Sequence, residues 1–490
     1  DKYTFSTWIK RSTISANQYI FGGETDNVNY DVISFASDNT LRHTWQRGGT
    51  SGDVWAPNLY RDTSAWMHIV FQFDTTQSTA SNRVKIYING VQSTVSESRY
   101  SGMVPQNQDL EFNANGNEVT VGSSYSYDSF TKSYMAQTAG IDGSIVAIGD
   151  LGESKNGVWI PKDLSGLTFG NNGFLLDYAS SSDMGNDVSG NNNDFTTANI
   201  STHDQMLDTP TFNSSSNGGN FATINPLAQQ GGSTIDRSGD ISEGNLFQFL
   251  DSGQSGPTGT IGFNSTSGGK WYWEVGITNF KNGCIVGIVN QDWNIDAELA
   301  YNSPSSPTGA DQCGLYINTG NISQAGSGDG SNFTSYGSQL SAGDVVGIAL
   351  DVDNAKIWFS VNGTFINSGD PAGGSNAGRG SGGTITTAMD FSKTWFPCVG
   401  NWSASTGTGI TYNFGQDGTF GGTETAGGNS DASGYGNFFS SVPTGFKALC
   451  SGNVPVADEV DPAQTDDNFP QKLFNPLLYV GNSTDDRNVT

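Results

Sequence analysis

Gly343-Asp344-Val345-Val346-Gly347-Ile348-Ala349-Leu350-Asp351 runs through Asn354 into Lys356-Ile357-Trp358-Phe359-Ser360-Val361-Asn362-Gly363. Two short runs rich in β-branched and aromatic residues, joined by a tight turn at Asn354, predict consecutive antiparallel strands. Asn362-Gly363 then suits the positive-φ positions of a second hairpin. Upstream, Lys270-Trp271-Tyr272-Trp273-Glu274-Val275 reads as a strand of alternating bulk and Cys284-Ile285-Val286-Gly287-Ile288-Val289 as a buried strand. Downstream stand Trp395-Phe396-Pro397-Cys398, Tyr412-Asn413-Phe414-Gly415 and a closing Pro443-Thr444-Gly445-Phe446.

This succession resembles the SPRY signature, a "GDVxGxxxD" run followed by "IxFSxNG", with its supporting elements in the family's order. The resemblance implies a β-sandwich over residues 229–450. Gly/Ser-rich insertions at 323–337, 371–383 and 415–436 interrupt it. They read as solvated loops, or alternatively as a recognition rim carried on a rigid sandwich.

Toward the N-terminus the same alternation recurs in Tyr3-Thr4-Phe5-Ser6-Thr7-Trp8-Ile9-Lys10, in Tyr30 to Phe35 and in Trp66 to Asp74. Arg83 to Ile88 meets Asn89-Gly90, a second hairpin signal, before Val91-Gln92 returns. With Val119 to Gly122, these strands resemble a laminin-G-like, concanavalin-type jelly roll over residues 1–165. Members of that family carry a strand before the one that opens here, so an opening strand is expected upstream of Asp1. Residues 166–228 form a connector. Its phrases Asp187 to Asp194, Leu207 to Thr211 and Asn220 to Leu227 are similar to linkers between laminin-G-like and SPRY modules in structural proteins of marine tailed bacteriophages. Residues 451–490 read as a linker and the first strand of a further module. The expected fold is all-β: two consecutive antiparallel β-sandwiches, laminin-G-like and then SPRY-like.

Composition agrees with this class. The 490 residues include 65 Gly, only 14% are charged, and 11% are aromatic, with 11 Trp and 28 Phe. That much aromatic area exceeds what a disordered chain carries. The formal charge of −27, with 21 Lys and Arg against 48 Asp and Glu, argues against a nucleic-acid groove, which needs clustered cations. Basic residues here are scattered singly or in pairs such as Lys10-Arg11. No apolar run approaches 18 residues, so no membrane span is expected.

The groups that carry chemistry are sparse. Cys284, Cys313, Cys398 and Cys450 show no metal-ligand spacing and read as buried reduced thiols. Among three histidines, His68 sits in a strand as a satisfied sheet residue. The nearest match to paired hydrolase acids, Glu459-Val460-Asp461, is stopped by Pro462. Asp74 and Asp351 read as turn residues. Asp183, Asp187, Asn191 and Asn193 supply hard oxygens on a Gly-containing loop, the chemistry calcium uses, with a solvated turn as the other reading. No other cofactor is expected. Trp293, Tyr301 and Trp402, set among Asn and Asp, are candidate platforms for a sugar ring; packing at a sandwich edge is their other reading.

The resemblance implies a non-enzymatic virion protein of a marine phage, a fibre or decoration protein on head or tail, adhering to host-surface glycans or proteins. Its partners would be other virion proteins and further copies of itself, a trimer by family resemblance. A purely structural capsid or tail component and a polysaccharide depolymerase are the competing readings.

Overall fold

The computed structural model describes residues 1–100, 102–114, 116–124, 130–155, 157–211, 218–227, 241–250, 254–280, 284–292, 312–324, 333–401 and 407–454. Among these residues it is an all-β protein made of two antiparallel sandwiches in succession.

The first sandwich is built from β1 (Lys2–Arg11), β2 (Gln18–Asp26), β3 (Asn29–Phe35), β4 (Leu41–Arg47), β5 (Thr50–Ala56), β6 (Met67–Asp74), β7 (Val84–Ile88), β8 (Val91–Gln92), β9 (Ser96–Tyr100), β10 (Glu118–Val121) and β11 (Ser133–Asp142). The hairpin β12 (Gly152–Lys155) and β13 (Val158–Pro161) and the strand β14 (Phe174–Leu176) follow. One sheet has the order β14-β11-β1-β6-β7-β8 and the other β10-β2-β3-β4-β5-β9. Their inner faces supply Tyr3, Phe5, Ile69 and Phe71 on one side and Phe21, Ile33, Leu41 and Trp45 on the other, all sealed from solvent. Each such side chain contributes roughly 1.5–3 kcal/mol by burial. The Trp45 indole N–H is satisfied by the Gly102 carbonyl at 2.8 Å. The β7–β8 turn takes the expected conformation, with φ of 48° at Asn89 and 78° at Gly90.

The alternation from Tyr3 to Lys10 does not mark a solvent face. Every residue of β1 except Lys2 is buried, because the sheet's outer side is covered as well. Leu151, Leu164 and Phe169 close over Val70, Ala139 and Ile141, and Trp159 of the β12–β13 hairpin reaches His68. β14, although it comes from the connector stretch, pairs with β11 through Thr138–Leu176 and Gly140–Phe174.

The second sandwich comprises β15 (Ile241–Ser242), β16 (Phe247–Leu250), β17 (Gln254–Thr258), β18 (Lys270–Asn279), β19 (Cys284–Asn290), β20 (Gln312–Tyr316), β21 (Asn321–Gln324), β22 (Phe333–Thr334), β23 (Val345–Asp351), β24 (Lys356–Val361), β25 (Thr364–Phe365), β26 (Trp395–Asn401), β27 (Thr408–Asn413) and β28 (Lys447–Ala448). Its sheets are β15-β16-β27-β18-β23-β24-β25, with β28 parallel to β18, and β17-β26-β19-β20-β21-β22. Trp273, Ile348, Phe359, Ile288 and Val399 meet between them. The second hairpin is also as expected, with φ of 47° at Asn362 and 81° at Gly363.

Two of the three Gly/Ser-rich insertions are solvated over much of their length but pinned by buried anchors. Arg379, 1% exposed, donates to the Gln312 and Thr387 carbonyls and carries the 371–383 stretch onto the sheet edge at Ile357. The 415–436 stretch leads into Phe438, which packs with Tyr272, Trp358 and Phe446 on the outer side of the larger sheet. Glu274 fixes this cover by accepting the N–H groups of Phe439 and Ser440, the Tyr272 hydroxyl and the Asn413 amide. Part of the 323–337 insertion lies outside the described residues; Ser323 and Tyr336, at its ends, are buried.

The connector is a strap bonded to both sandwiches. Asn220 to Ile224 hydrogen-bonds into the second one, through Ala222 N–H to Leu449 and Ile224 N–H to Asn245. Asp208 and Asn220 take the buried ammonium of Lys10 from β1 at 2.8 and 2.7 Å. Tyr134 of β11 donates to the Gly244 carbonyl at 2.8 Å.

Candidate functional site

With much of one sheet of the first sandwich covered on both sides, the more accessible broad surface is the outer side of β10-β2-β3-β4-β5-β9, although Val32 and Ser34 at its centre are buried. Strand alternation sends Asp31, Ile33 and Phe35 inward and so turns Tyr30, Val32 and Ser34 outward. The register sets three rows across the sheet: Tyr19, Ser34, Arg42 and Trp55; Gly22, Val32, Thr44 and Asp53; Glu24, Tyr30, Gln46 and Ser51. Tyr19, Tyr30, Arg42, Thr44, Asp53 and Trp55 are all half-buried. Arg42 lies over the Trp55 ring at 5.3 Å and is held there by Thr40 and Asp38. Burial, and then the neighbouring Tyr19 and Asp53, push the Tyr30 phenol up. The face therefore offers aromatic planes interleaved with hydroxyl, amide, carboxylate and guanidinium groups. Such a surface can stack a sugar or peptide plane and orient it by hydrogen bonds.

At the edge of this sheet burial, and then the charges of Glu118 and Asp26, raise the Glu24 carboxyl. Beneath it lies a buried polar network that sequence reasoning missed. His43 Nε2 bonds Asp31 Oδ1 at 2.8 Å; Arg47 pairs with Asp31 and, at 3.1 Å, with Glu111. Burial alone would raise the Asp31 carboxyl, but the His43 hydrogen bond, the His43 and Arg47 charges and the Glu111 N–H together hold it below the usual range. The signal for this network was an Asp on the inward register of Tyr30 to Phe35.

His68 is a satisfied sheet histidine, as expected. Trp159 donates to its Nδ1 at 3.0 Å, so the neutral ring carries its proton on Nε2, which bonds Ser6 Oγ at 2.8 Å. Burial pushes its pKa down to about 3, and Trp8 stacks on it at 4.8 Å. This Ser–His pair is sealed from solvent. Asp74 and Asp351 hold turns: Asp74 accepts from Thr76 and Gln77, and Asp351 from both nitrogens of Asn354. All four cysteines are free and buried.

Asp183, Asp187, Asn191 and Asn193 lie on one loop; Asp183 is exposed, and the other three side chains bond inward. Asp187 accepts the N–H groups of Leu175, Ser189 and Asn193 and the Ser189 hydroxyl. Asn191 and Asn193 both give their amide hydrogens to the Gly173 carbonyl. Donor hydrogens thus occupy the Asp187 oxygens that a calcium ion would need, and this donor set does not fit a cation. Among the described residues no three His, Cys, Asp or Glu groups are placed to hold a metal, and no helix is long and apolar enough to cross a membrane.

Trp293, Tyr301 and Trp402 lie outside the described residues, as does Glu459-Val460-Asp461. The strand ends that lead to the two tryptophans are described: Asn290 pairs with Trp395 and Asn401 with Cys284. Those exits are at opposite ends of the β19–β26 pair.

Residues 1–140 match the model of the concanavalin A-like lectin/glucanases superfamily of laminin G type, and residues 270–417 match the SPRY domain. The chain thus carries a laminin-G-like module followed by a SPRY module. No curated protein matches. Among solved structures, the SPRY domain of human HERC1 is similar at 16% identity and a TM-score of 0.26, over 39% of this chain and 96% of that one. Domain 4 of AbnA, a GH43 extracellular arabinanase from Geobacillus stearothermophilus solved with arabinotriose, is similar at 20% identity and 0.23, over 30% and 63%. Domains LG4-5 of the mouse laminin alpha1 chain are similar at 10% identity and 0.25, over 84% and 82%.

Proposed function

We propose that this chain is a non-enzymatic adhesion protein displayed on the virion of a marine tailed phage, as a fibre or decoration protein, and that the open face of its first sandwich binds host-surface glycan. The observation that carries the reading is the contrast between the two sheets of that sandwich. One is covered on both sides over β11, β1 and β6, whereas the other turns Tyr19, Tyr30, Trp55, Arg42 and Asp53 outward across three rows. The virion setting is supported by the resemblance of the connector phrases to phage linkers. The absence of catalysis is supported by the engagement of the candidate groups: Ser6–His68 and Asp31–His43 are both interior pairs. Unpaired strand edges favour assembly with further copies.

Binding of the purified protein to host cells tests this. Trp55→Ala combined with Tyr30→Ala should reduce adsorption about tenfold or more while leaving the melting temperature within a few degrees, since binding concentrates in a few aromatic anchors. Undiminished adsorption would refute the face and favour the packing role. Release of reducing sugar from host polysaccharide would favour the depolymerase. Absence of the chain from purified virions would remove the setting.

A further inference from the structure

Where the strap crosses the first sandwich, an amine, a carboxylate and a carboxamide meet in the interior. Lys10 Nζ lies 2.8 Å from Asp208 Oδ2 and 2.7 Å from Asn220 Oδ1. The Lys10 and Asp208 side chains are 1% and 0% exposed. The carboxamide is oriented from both ends: its oxygen accepts from Lys10, and its nitrogen donates to the Ser64 carbonyl at 2.7 Å. The Asn220 backbone N–H is held by Ser451 Oγ at 3.0 Å. A carbonyl bond is about 1.23 Å long, so Asn220 Cγ lies within about 3.9 Å of the Lys10 nitrogen, close to a near-attack separation. Asp208 is fixed by the Trp66 indole N–H at 2.6 Å, and the Tyr134 ring stands 5.3 Å from Nζ. Burial raises the Asp208 carboxyl, which equips it to hold a proton taken from the neighbouring ammonium. That transfer turns a buried ion pair into two neutral groups. A structural ion pair requires only the carboxylate; the oriented carboxamide adds an electrophile.

We propose that Lys10 and Asn220 condense to an intramolecular isopeptide bond, with Asp208 as the proton carrier. The ammonium gives a proton to Asp208, and the neutral amine attacks Asn220 Cγ, forming the new C–N bond. Asp208 moves the amine's next proton to Asn220 Nδ2 and the old C–N bond breaks. Ammonia leaves with the proton Asp208 first took, as ammonium. Asp208 ends as it began, and no oxidant, reductant or cofactor enters the balance. The bond joins positions 210 residues apart and encloses nearly all of the first sandwich in one covalent loop, a long closure of the kind that most restricts an unfolded chain. Tension along the chain then passes from Lys10 to Asn220 and leaves the sandwich between them unloaded. The reading does not depend on what the outer face binds. Until the bond forms the ion pair stands as described, and unlinked chain is the reference for stability changes at Lys10.

The test is intact mass spectrometry of the purified full chain under denaturing conditions, with tandem sequencing of its proteolytic peptides. The mass should fall below the sequence mass by one ammonia, and one branched peptide should join the Lys10 and Asn220 segments. Asn220→Ala keeps the Lys10–Asp208 pair without the electrophile, and Lys10→Arg keeps the charge; both should show their full sequence mass and no branched peptide. Asp208→Asn should slow linkage at least about 100-fold, the scale of a positioned proton carrier, read as linked fraction against time during translation in vitro. The wild-type peptide map decides the bond whether or not a variant folds. Wild-type chain at its full sequence mass, or ammonia lost without the branched peptide, would overturn the proposal, and undiminished linkage in a folded Asp208→Asn chain would overturn the part given to Asp208.

Discussion

Replacing Lys10 by Met tests whether the strap makes the two sandwiches one unit. The ammonium is enclosed, with side-chain exposures of 1% for Lys10 and 0% for Asp208, and it donates to Asp208 at 2.8 Å, Asn220 at 2.7 Å and the Phe221 carbonyl at 3.0 Å. Methionine fills the stem's volume but leaves a buried carboxylate with only the Trp66 indole N–H, at 2.6 Å, and the Phe221 N–H, at 3.3 Å. Breaking a buried pair from one side costs about 3–5 kcal/mol, whereas removing both charges is often close to neutral. Lys10→Met should therefore lose about 3–5 kcal/mol in denaturant unfolding, and Lys10→Met with Asp208→Asn should recover more than half of it. Burial already raises the Asp208 carboxyl against the pull of Lys10. In the single variant its charge is a cost only above its folded pKa, so the deficit should shrink as pH falls through that value. Calorimetry of the single variant should show two separated transitions where the wild type has one. A loss under about 1 kcal/mol, or a double variant as unstable as the single one, would refute the clamp.

Two further predictions concern the sandwiches separately. Asp31 is held below its usual range, so the unfolded chain takes that proton first as pH drops under about 3.9. Its stabilising share is full above that pH and is lost as pH falls through the lower folded value; Asp31→Asn should flatten the acid side of melting temperature against pH, and an identical profile would count against the network. In the second sandwich a Cβ on Gly287 would lie 2.0 Å from the Cys313 carbonyl and 2.5 Å from the Gly314 Cα. Gly287→Ala should cost about 1–3 kcal/mol or more by overpacking, visible in urea unfolding, and a change below about 0.5 kcal/mol would show that the strands can separate freely.

The fold was legible because period-two alternation and Asn-Gly turns are local signals. The hairpins after Ile88 and Val361 form where the dipeptides predict them. What covers each face was not legible, because alternation says only that a side chain points one way. Ser6, Trp8 and Lys10 alternate with the core residues of β1, yet their covers arrive from far along the chain, Asp208 being 198 residues from Lys10. The insertions misled for the same reason: glycine and serine signal a loop, while single anchors such as Arg379 and Phe438 decide whether it docks. In the oxygen-rich loop at 183–194 Asp187, Asn191, Asn193 and Asp194 bond nearby backbone groups, the common fate of Asp and Asn in turns. Nor could single-sequence reading put Tyr30 and Trp55 on one face, since only the register of three strands places them in its outer rows.

Several of the buried charges of this chain sit where long loops must be located. Apolar contact is non-directional, and a segment made largely of glycine and serine has little of it to offer. A buried charge is different: it is stable only with a full set of partners in the right places, so it selects one arrangement among many. Glu274 reaches 165 residues along the chain to Phe439, Arg379 reaches 67 to Gln312, and Asp431 binds Ala448 and Asn453 to close the second sandwich. Lys10 does the same between sandwiches. Charges buried at such positions are thus engaged in joining segments.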